Sequence, residues 1–406
     1  MVALKDETDF RDNPYLFLML GPACNMCCRH CSQEPYKGKS ISDTVSDGVM
    51  RLLDSYIRDY QSRKSVPRYA KILFWGGEAL LHWDLIEKVV PYFSEKYGMM
   101  HDGNVKFCIA SNGILLTDGM VDFCNRYDVQ FNLSFDAPYP FAVRGYVPEE
   151  QVRRAMGIGR LVVLNSMNAI NCDMYAGLSC MRKKFFGKAR KFSYNFQLFY
   201  NAELPSDILS FDFAKVRRGL RMCRIAVQMG DRFFVPFVFS LLKDIRYPEK
   251  RLFMPGYNLR HCVPGRKYLT VTLDGKVVRC HNDASDVVGT VDDSFDDIHR
   301  KGIAVCRALQ GKAQTEKCAS CEHIDVCPGG CMLGLRDADG CYRSCDLYTK
   351  PIYSILKEEM SALDMPLSDA DRKWFIGNWD AYNGMAEDYA KGIYRSPSDD
   401  MGDMGL

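Results

Sequence analysis

Six short apolar runs, Tyr15–Leu20, Lys71–Trp75, Val105–Ser111, Gln130–Ser134, Arg160–Asn165 and Phe192–Phe199, have the length of β-strands. Most are separated by longer segments of helical periodicity. Ser42–Tyr60, Leu85–Tyr97 and Asp118–Tyr127 carry apolar residues every three or four positions, with Ser or Asp near several starts as caps. Strands alternating with helices predict a parallel sheet, and six such units predict an α/β fold built on a partial (β/α)6, TIM-like barrel. Chemistry in such barrels belongs to the loops that follow the strands. Cys24, Gly76, Asn112 and Asp136 each lie just past a predicted strand, so this topology would gather them at one rim.

The first of those loops reads Gly21-Pro-Ala-Cys-Asn-Met-Cys-Cys-Arg-His-Cys31. The C-x-x-x-C-x-x-C spacing of Cys24, Cys28 and Cys31 can wrap three thiolates around an iron-sulfur cube and leave one iron open for a ligand. Cys27 also permits a C-x-x-C pairing with Cys24 and a C-x-x-x-C pairing with Cys31, so a zinc site or a redox dithiol stands as the alternative. The spacing resembles the signature of radical S-adenosylmethionine (SAM) enzymes. That resemblance implies a 4Fe-4S cluster on Cys24, Cys28 and Cys31 that chelates SAM and breaks its carbon-sulfur bond by electron transfer.

Further landmarks fit the same family. Phe74-Trp-Gly-Gly-Glu-Ala79 places two glycines after a strand, where backbone can approach a partner closely. It reads equally as an ordinary strand-to-helix turn, but it resembles the family's Gly-Gly-Glu motif, which would assign the amino group of SAM to Gly76, Gly77 and Glu78. Asn112 lies in an Asn-Gly turn where relatives have a similar one. Leu133-Ser-Phe-Asp-Ala-Pro138 is similar to the family's Ser-x-Asp step, which would place Ser134 against the methionyl carboxylate or ribose, with Asp136 beside it. Arg144, next to Phe141, is a weaker candidate that also reads as a solvated arginine.

A second cysteine set occupies the C-terminal third. Cys262, twelve residues, Gly275, four residues, Cys280 is followed by Cys318-x-x-Cys321, five residues, Cys327, three residues, Cys331 and then Cys345 or Cys341. This resembles the SPASM domain that is appended to radical SAM enzymes acting on peptides and proteins. The resemblance implies one auxiliary cluster on Cys262, Cys280 and Cys331 and another on Cys318, Cys321, Cys327 and Cys345, making three 4Fe-4S clusters in all. A zinc ribbon is the alternative. Relatives with a fully ligated first auxiliary cluster have one more cysteine ahead of Cys262, whereas this chain reads Met254-Pro-Gly-Tyr-Asn-Leu-Arg-His261. The fourth iron would then be open, held by His261, or bound by a substrate thiolate.

Tyr268–His281 reads as a hairpin turning at Asp274-Gly275 and delivering Cys280. The Cys-His pair resembles maturases that crosslink ribosomal peptides, while sulfatase maturases place an aspartate directly after this cysteine. Here that position is His281, and Asp283 is the nearest acid. The expected organisation is a radical SAM barrel over residues 1–240, a bridging region over 241–261, a small cysteine-rich iron-sulfur domain over 262–350, a C-terminal helical segment over 351–395 and a disordered tail over 396–406. Within the helical segment, Ser368 is a capped start, and Trp374, Phe375 and Trp379 form a stripe expected to pack on the core.

Composition bounds the partners. The net charge of +2, from 53 basic and 51 acidic residues, gives no field to gather nucleic acid or anionic lipid. No signal core or apolar span of about 20 residues is present, which predicts a cytoplasmic protein outside the membrane. In a reducing compartment, 18 cysteines point to metal rather than to disulfides. Cys108, Cys124, Cys172, Cys180, Cys223 and Cys306 lie mostly in apolar runs and are expected to be inert.

The reaction expected from the resemblance is hydrogen abstraction from a peptide by a 5'-deoxyadenosyl radical, closing a thioether or carbon-carbon crosslink. A formylglycine-forming sulfatase-type maturase and a non-catalytic electron carrier are the alternatives. Partners would be a peptide or protein substrate and a one-electron reductant of flavodoxin or ferredoxin type. With 23 residues ahead of Cys24, too few for a leader-binding module, the expectation is either a separate leader-binding protein as a further partner or a folded protein or short peptide substrate that needs no leader.

Overall fold

The computed structural model describes residues 15–31, 43–62, 70–99, 105–195, 206–246, 268–281, 283–308, 317, 320–323 and 344–393. The alternation begins with β1 (Tyr15–Met19), α1 (Asp43–Ser62), β2 (Ala70–Trp75) and, after a single 3-10 turn, α2 (Trp83–Tyr97). It continues with β3 (Val105–Ser111), α3 (Asp118–Arg126), β4 (Gln130–Ser134), the short α4 (Pro140–Val143) and α5 (Glu149–Ala155), β5 (Leu161–Ser166), α6 (Met174–Phe185) and β6 (Lys191–Asn195). Then come α7 (Ser206–Leu209), α8 (Phe213–Gln228) and α9 (Val235–Arg246). β7 (Tyr268–Val271), β8 (Lys276–Cys280) and β9 (Asp283–Thr290) precede α10 (Phe295–Ala308), and a π-turn over Cys345–Thr349 leads into α11 (Lys350–Ser361) and α12 (Asp369–Ala390).

β1 to β6 pair in sequence order and every pairing is parallel, so the ends of β1 to β4 carrying the predicted landmarks share one edge. Alternation explains how the sheet is covered. In β2, Ala70, Ile72 and Phe74 are fully buried in the core, while Lys71, Leu73 and Trp75 alternate with them and are only half covered. β5 starts one residue later than the sequence suggests, at Leu161; the carbonyl of Arg160 still accepts from Phe131 N at 3.2 Å, and its side chain pairs with Asp128, which sits at φ 53°. β6 starts at Lys191, and residues 196–199 of its expected run lie outside the described residues.

The predicted hairpin is part of the barrel sheet. β7 pairs in parallel with the free edge of β1, β8 pairs antiparallel with β7, and β9 adds a third strand, giving nine strands in the order β6-β5-β4-β3-β2-β1-β7-β8-β9. Facing residues share a side of a sheet, so Phe17, Thr270 and Val278 lie on one face with Cys280 two residues further on. On that face Phe17 stacks on His281 at 5.5 Å, and Trp75 meets both rings edge-on.

The C-terminal helices pack on the barrel's helices. Ser368 caps α12 by accepting from Asp371 N, as its sequence suggests. Tyr175 of α6 meets Tyr382 of α12 at 5.0 Å and Phe234 at 4.8 Å. Arg224 of α8 pairs with the buried Glu359 of α11 at 3.1 Å, and Arg221 pairs with Asp371 at 2.6 Å. The aromatic stripe is only partly covered: Phe375 is buried and Trp374 packs on the core, but Trp379 is 44% exposed because it projects from the outer side of α12. Cys108, Cys124, Cys172, Cys180 and Cys223 are buried, as expected of small hydrophobes.

Asp173 joins these helices. Its carboxylate caps α6 by accepting from Ala176 N at 3.0 Å and takes a 2.5 Å hydrogen bond from the Tyr382 hydroxyl, with Arg218 Nε at 3.5 Å. Burial pushes the carboxyl up, and these donors pull it back. Tyr382→Phe removes one donor from a buried acid and is expected to lower stability by about 1–3 kcal/mol in urea unfolding of the metal-free protein.

Candidate active site

The loop after β1 is fixed by backbone contact with the loop after β2. Gly77 N donates to Gly21 O at 2.7 Å and Glu78 N to Ala23 O at 2.8 Å. A Cβ on Gly77 would lie 2.3 Å from Ala23 O and 2.4 Å from Pro22 O, and one on Gly76 would lie 2.4 Å from Gly21 O. Gly76 also adopts φ 152°, a conformation that glycine enters without penalty. The two glycines therefore hold the cysteine loop against the barrel rim.

Glu78 is 1% exposed. Its Oε1 accepts from Leu80 N at 3.0 Å, capping the 3-10 turn, and from the Ser111 hydroxyl at 2.6 Å; Oε2 accepts from Asn112 N at 2.9 Å. Burial raises its carboxyl above the ordinary range, and the three donors oppose that shift. One buried carboxylate thus ties the ends of β2 and β3 together.

Asn112 continues the chain of contacts. Its Nδ2 donates to Asn25 Oδ1 at 2.8 Å and lies 4.0 Å from Cys24 Sγ, while its Oδ1 accepts from Ile114 N. Met26 N points at Cys24 Sγ from 3.4 Å. Arg29 N donates to Val143 O at 3.0 Å, and the Arg29 side chain pairs with Asp207 at the start of α7.

The loop after β4 meets the cysteine loop from the other side. Asp136 is fully buried and pairs with Arg144 Nε, while His30 Nε2 lies 3.5 Å from its Oδ2. Arg144 Nη1 donates to Cys28 Sγ at 3.7 Å and Nη2 lies 3.4 Å from His30 Nε2. Arg144 is thus buried, at 12% side-chain exposure, and is not the solvated arginine that its neighbour Phe141 permits. Burial pushes the Cys28 thiol up to about 11, against the pull of Arg144, and pushes the His30 imidazole down to about 4. Ser134 sits half-buried at the end of β4.

Cys24, Cys28 and Cys31 therefore share one anchored loop, with N–H groups of Met26, Asn112 and Arg144 directed at two of their sulfurs. Among the described residues no three His, Cys, Asp or Glu side chains already converge at metal-ligand spacing. Three thiols on one loop, two of them faced by N–H donors, suit an anionic iron-sulfur cluster, and metal binding commonly completes the folding of such a site. Sequence reasoning missed His30, Asn25, Ser111 and Trp75. Of these, Asn25 and His30 had a signal in their place inside the cysteine run.

The auxiliary set is only partly described. Cys280 is buried at the end of β8, beside His281. Cys321 and Cys345 both lie close enough to Lys350 to raise its pKa, after the larger effect of its pair with Asp346. Lys357 donates to Glu322 O and Ser354 meets His323 at 3.3 Å, so the segment carrying Cys321 sits on α11. Cys262, Cys318, Cys327, Cys331, Cys341 and His261 lie outside the described residues.

Residues 18–171 match the radical SAM superfamily. The chain is 24% identical over 131 residues to the radical SAM cyclopropyl synthase TigE of Paramaledivibacter caminithermalis, a stretch covering 30% of this chain and 26% of that protein. It is 29% identical over 128 residues to the serine-type anaerobic sulfatase-maturating enzyme of Bacteroides thetaiotaomicron, covering 30% and 29% respectively. The matched stretches span 26–38% of the length of the curated relatives.

Among solved structures, anSMEcpe with bound AdoMet and the Cp18Cys peptide superposes with a TM-score of 0.63 at 16% identity, covering 86% of this chain and 99% of that one. Streptococcus suis SuiB bound to its precursor peptide SuiA superposes with a TM-score of 0.56 at 16% identity, covering 82% and 75%. The protein carries a radical SAM domain on a partial-barrel fold, with homology to radical SAM maturases. Among the described residues no helix is long and apolar enough to cross a membrane.

Two substitutions separate anchoring from ligand binding. Gly77→Ala forces the cysteine loop off the rim, and is expected to lose most of the iron bound by Cys24, Cys28 and Cys31, read by iron assay against a Cys24/Cys28/Cys31→Ala control. Glu78→Gln sets an amide N–H against a buried N–H donor and is expected to destabilise the metal-free protein by about 1–3 kcal/mol. An unchanged unfolding midpoint would restrict Glu78 to ligand contact.

Proposed function

We propose that this chain is a radical SAM oxidoreductase that modifies a peptide, installing a thioether or carbon-carbon crosslink. A 4Fe-4S cluster on Cys24, Cys28 and Cys31 would supply the electron that cleaves SAM to methionine and a 5'-deoxyadenosyl radical able to take an unactivated hydrogen from the substrate. The chain's residues hold the loop, through Gly76, Gly77, Glu78 and Asn112, and shape the space around it. In this reading Ser134 faces the methionyl end of SAM, with Gly76, Gly77 and Glu78 at its amino end.

The observation that carries the proposal is the parallel pairing of β7 with β1, which brings Cys280 and His281 to the sheet face shared by Phe17 and Trp75. Trp75 directly precedes Gly76, so the auxiliary cysteine approaches the rim where SAM would bind. An auxiliary centre on Cys262, Cys280 and Cys331 could there bind a substrate sulfur or accept the electron left as the crosslink closes. Cys318, Cys321, Cys327 and Cys345 would hold a second such centre. The reductant would be a flavodoxin or ferredoxin.

A formylglycine-forming maturase is the second reading, favoured by the similarity to the Bacteroides sulfatase-maturating enzyme. His281 in place of an aspartate after Cys280 weighs against it. Anaerobic co-expression with each short reading frame encoded beside the gene, against a Cys28→Ala control, separates the two. A peptide lighter by two hydrogens and one alkylatable thiol indicates a thioether, and the same loss with thiols intact indicates a carbon-carbon link. Conversion of one cysteine or serine to an aldehyde would overturn the crosslinking proposal.

A further inference from the structure

All three nitrogens of the Arg144 guanidinium face protein partners: Nε faces the Asp136 carboxylate, Nη1 the Cys28 sulfur at 3.7 Å and Nη2 His30 Nε2 at 3.4 Å. The fork is therefore set edge-on to a cluster-bearing sulfur. We propose that Arg144 is a positioning residue that sets the reduction potential of the Cys24-Cys28-Cys31 cluster by donating a charge-assisted hydrogen bond to Cys28, with Asp136 fixing its aim. This rests on the radical SAM reading above and goes beyond it, because it assigns Arg144 and Asp136 to the cluster rather than to SAM.

The second support is independent of the arginine. Asp136 adopts φ 56°, a left-handed conformation that costs a non-glycine residue of the order of 1 kcal/mol or more. It is held there by its own contacts: Oδ1 accepts from Ser166 N at 2.6 Å, tying it to the end of β5, and Phe135 N donates to Leu164 O. With Oδ1 held by Ser166, Oδ2 faces Arg144 and His30. A backbone held in this conformation to aim one carboxylate at one guanidinium suits a group whose position matters.

The physical effect follows from charge. One-electron reduction adds a negative charge to the cluster, and hydrogen bonds and cations at the ligating sulfurs favour that more negative state. Arg144 thus makes the cluster easier to reduce, while Asp136 buffers the cation so that it can stay buried.

The test is an EPR-monitored redox titration of the anaerobically reconstituted full-length protein. The signal of this cluster is isolated by subtraction of a Cys24/Cys28/Cys31→Ala variant. Arg144→Gln is expected to move the midpoint to more negative potential, lowering the reduced-to-oxidised ratio at fixed poise about tenfold. Arg144→Lys, which keeps the charge but not the fork, is expected to fall between Gln and wild type. If Arg144→Gln fails to retain iron at these cysteines, the comparison of Arg144→Lys with wild type carries the test.

An unchanged midpoint in a variant with full iron would overturn the proposal, and so would SAM affinity falling while the midpoint stays, since Arg144 would then be a carboxylate clamp. Absence of any cluster signal on Cys24, Cys28 and Cys31 in the wild type would instead sink the radical SAM reading itself.

Discussion

The arrangement depends on the close contact between two backbones, the cysteine loop lying on the glycine pair after β2. The contact has no room for a Cβ at Gly76 or Gly77, and both its hydrogen bonds run from the glycine loop's N–H groups to carbonyls of the cysteine loop. A loop held by its main chain keeps its Cα positions fixed without using the thiols as anchors. Side chains join the neighbouring strand ends. Glu78 links β2 to β3 through Ser111 and Asn112, and Asp136 links β4 to β5 through Ser166.

The rim also shows how a buried charge can be kept without excess. Glu78 has three donors, Asp173 has Ala176 N and the Tyr382 hydroxyl with Arg218 close by, and Asp136 is balanced by Arg144. Breaking such a set strands an ion in a poor solvent, so each one fixes a single arrangement of the elements it joins. Asp173 does this for α6, α8 and α12, which places the C-terminal helices within the barrel's outer layer. The hairpin of β7 and β8 does the same on the other side by ladder hydrogen bonds, and β9 covers the edge that β8 would otherwise expose.

Much of this was legible in the chain. β3 and β4 fall where apolar runs of strand length end at turn residues, and α3 begins at its Thr117 cap. β1 and β2 agree to within one residue. The hairpin turn at Asp274-Gly275 is also local chemistry. α4 to α10 lacked a sequence assignment, and β9 was hidden because its run, Asp283-Ala-Ser-Asp-Val-Val-Gly-Thr290, takes its strand character from β8 rather than from its own residues.

The sequence by itself determined the order of strands and helices, the cysteines, and the glycines beside them, because periodicity, metal-ligand spacing and the need for a missing Cβ are properties of neighbours along the chain. Only the tertiary structure decided what those residues touch. In sequence Arg144 is a weaker SAM candidate that reads also as a solvated side chain, yet it is buried because Asp136 reaches it from the end of β4 and Cys28 from the loop after β1. Glu78 becomes an anchor because Ser111 and Asn112 arrive from β3, and the hairpin meets the barrel because β1 has a free edge in the same direction. Burial and charge pairing depend on which distant segments meet, and no local spacing encodes that meeting.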